Sequence, residues 1–169
     1  MSAVADDLQE DFDPQARVDE ALRRLEPEFW RHKKLDELNH YEWEALCDGC
    51  GKCCLNKIGI KGKIKFTNAY CRFLDCQSCL CKIYDKRFAV VPDCRNIDLE
   101  AVREKPRWLP QTCAYWRLDN GYDLPAWHPL LTGRAASVQE AGMGLKGRDL
   151  ISETKVRDYE DYIVDWPDL

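Results

Sequence analysis

The sequence predicts a small, irregular single domain of the α+β class, with short helices, a β-hairpin and cysteine-rich loops. Three observations predict it. Apolar residues recur at helical spacing only over short stretches, each cut off by proline, glycine or asparagine. One lysine-rich segment alternates as a hairpin does. Ten cysteines crowd the middle of a 169-residue chain, where loops are expected rather than long regular elements.

The elements follow in order. Residues 1 to about 14 are acidic and poor in apolar side chains, which predicts a mobile tail. From Gln15 to Arg31, Val18, Leu22, Leu25 and Phe29 recur at steps of three and four, a helix broken near its end by Pro27. Asn39 is placed to cap a second helix, with Glu42 three residues on as its capping-box partner; Trp43 and Leu46 then point inward. Asn56 to Thr67 reads as a hairpin turning at Lys61-Gly62, with Ile58, Ile60, Ile64 and Phe66 on one face and Lys57, Lys61, Lys63 and Lys65 on the other face or the turn. Cys81 to Phe88 reads as a short helix. Asp98 caps a further one over Leu99 to Glu104, stopped before Pro106, and Thr112 caps another over Cys113 to Leu118, ended by Asn120-Gly121. Trp108 to Gly133 is otherwise irregular and pinned by aromatic packing. Leu150 to Val156 suggests a strand and Asp158 to Trp166 a short terminal helix.

Composition narrows the function classes. The net charge of −5 argues against nucleic-acid binding through a broad basic face. No apolar run approaches the roughly 20 residues that span a bilayer. Met1 to Asp11 has neither a basic n-region nor an apolar h-region, so no secretory leader is expected, and the cytoplasm is the expected compartment. Thiols stay reduced there, and clustered reduced thiols are more often metal ligands or redox groups than structural bridges.

The strongest signal is Cys47-Asp48-Gly49-Cys50-Gly51-Lys52-Cys53-Cys54. A C-x-x-C turn brings two sulfurs to one side of a tight loop whose amide groups offset thiolate charge. Gly49 and Gly51 suit the positive φ that such turns need. Cys47, Cys50 and Cys53 match the first three positions of the cluster-binding run C-x-x-C-x-x-C-x-x-x-C-P. The match then fails, because Lys57 stands where the fourth cysteine belongs. Further thiols lie at Cys71, Cys76, Cys79, Cys81, Cys94 and Cys113, more than one tetrahedral site takes, so two centres fit the count. An iron–sulfur centre and zinc both suit such ligands; disulfides and scattered structural thiols are the other readings. Lys52, Lys57 and the hairpin lysines can screen the negative charge of a thiolate centre, or simply form a solvated face.

The motifs also resemble a known family. Leu46 to Leu55, Phe66-Thr67-Asn68, Cys71, Cys79 to Tyr84, Arg87-Phe88, Pro92-Asp93-Cys94, Trp108 to Tyr115 and Asp123 to Gly133 look like the YcgN-type bacterial cysteine-cluster proteins. Those belong to a wider group of zinc- or iron-chelating CxxCxxCC domains. The resemblance spans about residues 28 to 166 and implies metal-tied cysteine loops. The wider group implies a ligand set of Cys47, Cys50, Cys53, Cys54, Cys81 and Cys94; the YcgN-type pattern adds Cys71, Cys79 and Cys113. Cys76 is extra to it. The resulting division is an acidic, partly mobile extension over 1–27 and a cysteine-cluster metal-binding domain over 28–169.

Of the three histidines, His32 and His40 lie in polar helical surroundings and read as surface residues. His128, between Trp127 and Pro129, reads first as a satisfied structural histidine, with metal ligand or proton donor as the alternative. No nucleophile elbow, phosphate loop or dinucleotide fingerprint is present. The expected function is metal binding, as iron–sulfur cluster or zinc; a redox or iron–sulfur-dependent accessory enzyme is the alternative.

Overall fold

A computed structural model describes residues 13–169. The expected mobile tail lies almost wholly outside them. The chain forms eight short helices among the described residues: α1 (Pro14–Arg24), α2 (Phe29–His32), α3 (His40–Ala45), α4 (Arg87–Val90), α5 (Leu99–Arg103), α6 (Ala114–Asp119), α7 (Pro129–Thr132) and α8 (Ser137–Glu140). The strands are β1 (Leu55–Ile60), β2 (Lys63–Tyr70), β3 (Leu74–Asp75), β4 (Leu80–Cys81) and β5 (Ile151–Ser152). This is the small α+β domain the sequence predicts. No helix among the described residues is long and apolar enough to cross a membrane.

The expected first helix is split. It ends at Arg24, and α2 begins separately at Phe29. The residue before Pro27 is driven away from helical angles, so the pattern of apolar spacing survives while the helix does not. Val18 and Phe29 are buried, but Leu22 is largely exposed. In α3 the capping box forms as expected: Asn39 Oδ1 accepts the Glu42 amide at 3.0 Å, and Glu42 Oε2 accepts the Asn39 amide at 3.0 Å.

The hairpin turns at Lys61 and Gly62, both at positive φ. Its faces differ from the expected ones. A two-residue turn pairs Ile60 with Lys63, hence Ile58 with Lys65 and Lys57 with Phe66. Directly paired residues share a face, so Ile58 and Ile60 lie with Lys63 and Lys65, and Lys57 lies with Ile64 and Phe66. The parity of the turn, not hydrophobicity, decides this.

Four other expectations shift. Cys81 ends β4, and a single 3-10 turn at Tyr84–Lys86 leads into α4. Cys113, not Thr112, stands at the N-cap of α6, because the Thr112 hydroxyl is committed to the Asp168 carbonyl at 2.9 Å. The last segment is mostly extended after one 3-10 turn at Tyr159–Tyr162. Val164 donates to Phe66 O at 3.0 Å and Ile163 bridges Thr67, so pairing to β2 overrides a helix. The expected strand near 150 shrinks to β5, parallel to β2.

Two apolar clusters make the core. The larger gathers Phe29, Trp30, Leu46, Trp108, Leu109 and Tyr115 from the helices. The smaller joins Leu55, Phe66, Leu74, Cys79 and Leu145 at the sheet. Leu46 belongs to the first and Leu55 to the second, so the cysteine motif is the strap that runs between them.

Candidate metal centre

The strap leaves α3 at Leu46 and turns through Gly49 (φ +76°) and Gly51 (φ +81°) into a 3-10 turn at Lys52–Cys54. Gly51 is required twice. Its φ is left-handed, and a Cβ there would stand 3.0 Å from Cys79 O and 3.1 Å from Cys79 Cβ. Distant groups tether the strap's carbonyls. His128 Nε2 lies 2.9 Å from Leu46 O, Gln139 Nε2 donates to Gly49 O at 3.2 Å, and the Leu145 amide donates to Cys50 O at 3.0 Å. The Cys71 amide donates to Cys54 O at 2.9 Å. Within the strap, Asp48 Oδ1 accepts the Cys50 amide at 3.0 Å.

All ten cysteines are free thiols. Cys53, the exposed one, lies within electrostatic reach of Cys47, Cys50, Cys54, Cys81 and Cys94. These are the six thiols that the wider CxxCxxCC resemblance implies. Cys71 interacts with Cys81, and Cys113 with Cys47 and Asp48. Cys79 is set apart: it is buried against Gly51 and Leu145, and its thiol faces Cys76 and the amides of Leu145 and Lys146. Cys76 itself lies beside Tyr70. Among the described residues no three His, Cys, Asp or Glu side chains stand in metal-binding geometry. The thiols are gathered, then, without being in coordinating positions.

Eight of the thiols are shifted toward the protonated form. Burial, then Asp48 and Cys53, pushes the Cys50 thiol well above its ordinary range. The neighbouring Cys54 does the same to Cys53. Burial raises Cys81 and Cys94 too, while the Arg87 guanidinium pulls both back down. Burial lifts Cys113 furthest among the flanking thiols, and the amides of Tyr115 and Trp116 at the start of α6 partly offset it. Thiolates are ligands for soft cations, and capture of one by such a donor set would release the protons. One further atom fits an anionic centre. Arg107 Nη1 is buried without a hydrogen-bond partner, and Cys113 is the one ionisable group acting on that guanidinium. A thiolate at Cys113 would supply the missing charge.

Two lysines of the motif region take separate roles. Lys52 is completely buried; its ammonium pairs with the Asp168 carboxylate and lies 3.1 Å from both Thr112 Oγ1 and Asp168 O. Arg148 holds both oxygens of the same carboxylate, Oδ2 at 2.6 Å and Oδ1 at 3.1 Å. Lys57 Nζ instead donates to the carbonyls of Leu55 at 2.6 Å, Cys53 at 3.0 Å and Lys52 at 3.4 Å. Burial brings its pKa down to about 8, against the opposing pull of the Cys53, Cys54 and Cys50 thiols.

His128 is fully buried with both ring nitrogens engaged. Nδ1 accepts the Leu130 amide at 3.1 Å, which makes Nε2 the protonated donor to Leu46 O. It is a structural histidine that fixes the entry to the strap. Sequence reasoning missed Asp48, Arg87, Arg107 and Asp168. Asp48 was readable as the acid inside the motif; Arg87 and Arg107 lie outside the strap near Cys81 and Cys113, and Asp168 lies over a hundred residues beyond it.

The described chain has close bacterial relatives. It is 51% identical over 142 residues to a UPF0260 protein of Shewanella amazonensis, covering 83% of this chain and 96% of that one. It is 48% identical over 142 residues to a UPF0260 protein of Allorhizobium ampelinum, covering 82% and 89%. A UPF0260 protein of Granulibacter bethesdensis is 49% identical over 141 residues, covering 82% and 84%. No family model matches the chain. No solved structure matches it either. Identity at this level over nearly the whole of each relative is decisive: the chain belongs to the bacterial UPF0260 protein family.

Proposed function

We propose that this protein binds a soft metal centre, zinc or an iron–sulfur cluster, through thiolates gathered around Cys53. One observation carries the reading. Three separate stretches, the strap 47–54, Cys81 at the end of β4 and Cys94 after α4, bring five further thiols within electrostatic reach of Cys53. Thiols brought this close raise one another's cost of ionising, a cost that a bound cation offsets. Cys47, Cys50, Cys53, Cys54, Cys81 and Cys94 would hold the centre. Cys71 and Cys113 flank it, while Cys79 stands apart beside Cys76.

Four thiolates satisfy either metal chemistry, so the experiment has to discriminate. The full chain is purified without oxygen and analysed for iron, acid-labile sulfide and zinc, with its visible spectrum. Iron and sulfide with an absorption band bleached by dithionite identify a cluster. A colourless protein with stoichiometric zinc identifies a zinc centre. A chain holding neither, and taking up neither on reconstitution, rules the proposal out. With metal bound, a strong chelator under reducing conditions is expected to lower the melting temperature, because such binding energy is also folding energy.

A further inference from the structure

Resting on that reading, we infer that Lys57 is the fixed counter-cation of the thiolate centre, a positioning residue that holds the Cys53–Cys54 turn and offsets its negative charge. Four thiolates around Zn²⁺ leave a formal charge of about minus two. A centre of that charge needs positive charge close by, and the sequence offers five lysines within one short stretch: Lys52, Lys57, Lys61, Lys63 and Lys65.

The structure separates them. Lys52 is neutralised by Asp168. Lys65 lies 3.6 Å from the Asp165 carboxylate. Lys61 and Lys63 are exposed at the hairpin turn. Lys57 is the one of the five whose ammonium meets the cysteine strap without a carboxylate partner among the described residues. The hairpin register puts it on the face of Phe66, with its ammonium 4.9 Å from the Phe66 ring centroid and 5.7 Å from that of Trp108. The same ammonium gathers the carbonyls of Lys52, Cys53 and Leu55, the residues that bracket the Cys53–Cys54 pair. No carboxylate among the described residues forms an ion pair with it, whereas Lys52 and Arg148 share Asp168. A half-buried ammonium held only by neutral carbonyls is a charge waiting for an anion.

This also accounts for the break in the cluster-binding run. The position that would bring a fourth cysteine brings instead the cation that a thiolate set assembled from distant loops requires. The chain meets the ligand count with Cys81 and Cys94 and spends position 57 on charge.

The test uses the full chain, reduced and metal-free, titrated anaerobically with Co²⁺, whose thiolate charge-transfer absorption reports binding, followed by Zn²⁺ competition. K57Q keeps a donor for the carbonyls but removes the charge; K57R keeps the charge. Metal-free melting curves establish that the variants fold. K57Q is expected to bind Co²⁺ and Zn²⁺ on the order of tenfold more weakly than the parent, and K57R close to parental. If the centre proves to be an iron–sulfur cluster, K57Q is expected to move its reduction potential negative, a shift that loss of mere packing would not produce. Parental affinity in K57Q, or equal losses in K57Q and K57R, overturns the inference while leaving the metal centre standing. Should K57Q not fold, K57M carries the same comparison. A parent chain that takes up no Co²⁺, Zn²⁺ or iron overturns the metal reading itself, and the inference with it.

Discussion

At the scale of single residues, His128 shows how a group that looks chemical can be architectural. Its setting between Trp127 and Pro129 favours a packed imidazole over a ligand without deciding it, because either needs a buried histidine in a rigid turn. The two hydrogen bonds decide it: one nitrogen caps α7 through Leu130 and the other secures the last carbonyl before Cys47. Replacing it (His128→Ala) strips two buried backbone groups of their partners and opens a void, and is expected to cost about 2–4 kcal/mol of stability. Urea denaturation of the metal-free protein checks this; an unchanged midpoint would show that the two bonds contribute nothing. The cysteines were legible one by one, since their chemistry and spacing are written in the chain. Their neighbours were not. Arg87 and Arg107 reach thiols through tertiary packing that no local pattern encodes.

At the scale of elements, legibility depended on whether the deciding contact is local. The capping box of α3 spans three residues, and the sequence showed it correctly. The hairpin turn was equally plain, but its faces were not, because the side of Lys57 follows from the parity of the turn. The extended course of residues 163–164 depends on Phe66 and Thr67, about a hundred positions away, and was invisible. The capping box carries a pH signature. Burial pushes the Glu42 carboxyl up, but the Lys33 ammonium and the Asn39 amide outweigh it and hold the carboxyl below its ordinary value. A carboxyl lowered in the folded state stabilises the fold above its unfolded pKa, and that stability is lost as pH falls through the folded value. The parent should therefore exceed Glu42→Gln in stability at pH 6, and the gap should close below roughly pH 4. Paired denaturation curves of the metal-free proteins at the two pH values measure it. A gap that stays constant would mean that the Glu42 charge adds nothing beyond its hydrogen bonds.

At the scale of the whole molecule, the cysteine strap is tied down from outside itself. It bridges two apolar clusters, and its buried Lys52 is met by Asp168, which Arg148 and the Thr112 hydroxyl hold in turn. Residues from positions 52, 112, 148 and 168 thus meet at one knot that joins the strap through Lys52. Breaking a buried pair leaves an uncompensated charge, so Asp168→Asn is expected to destabilise the metal-free fold by about 3–5 kcal/mol. The consequence for the site follows from linkage. If the knot holds the strap in the arrangement that collects the thiols, metal binding to Asp168→Asn must also supply the energy of ordering the strap, and its affinity for Zn²⁺ falls. If the knot stabilises only the fold around the strap, the melting temperature falls while affinity, measured below the unfolding transition, stays at the parental value. Zinc competition titrations on the parent and Asp168→Asn at one temperature separate the two. Reduced affinity is the expected outcome, because Lys52 lies inside the motif, one residue from Cys53 and two from Cys50, and cannot move without moving both.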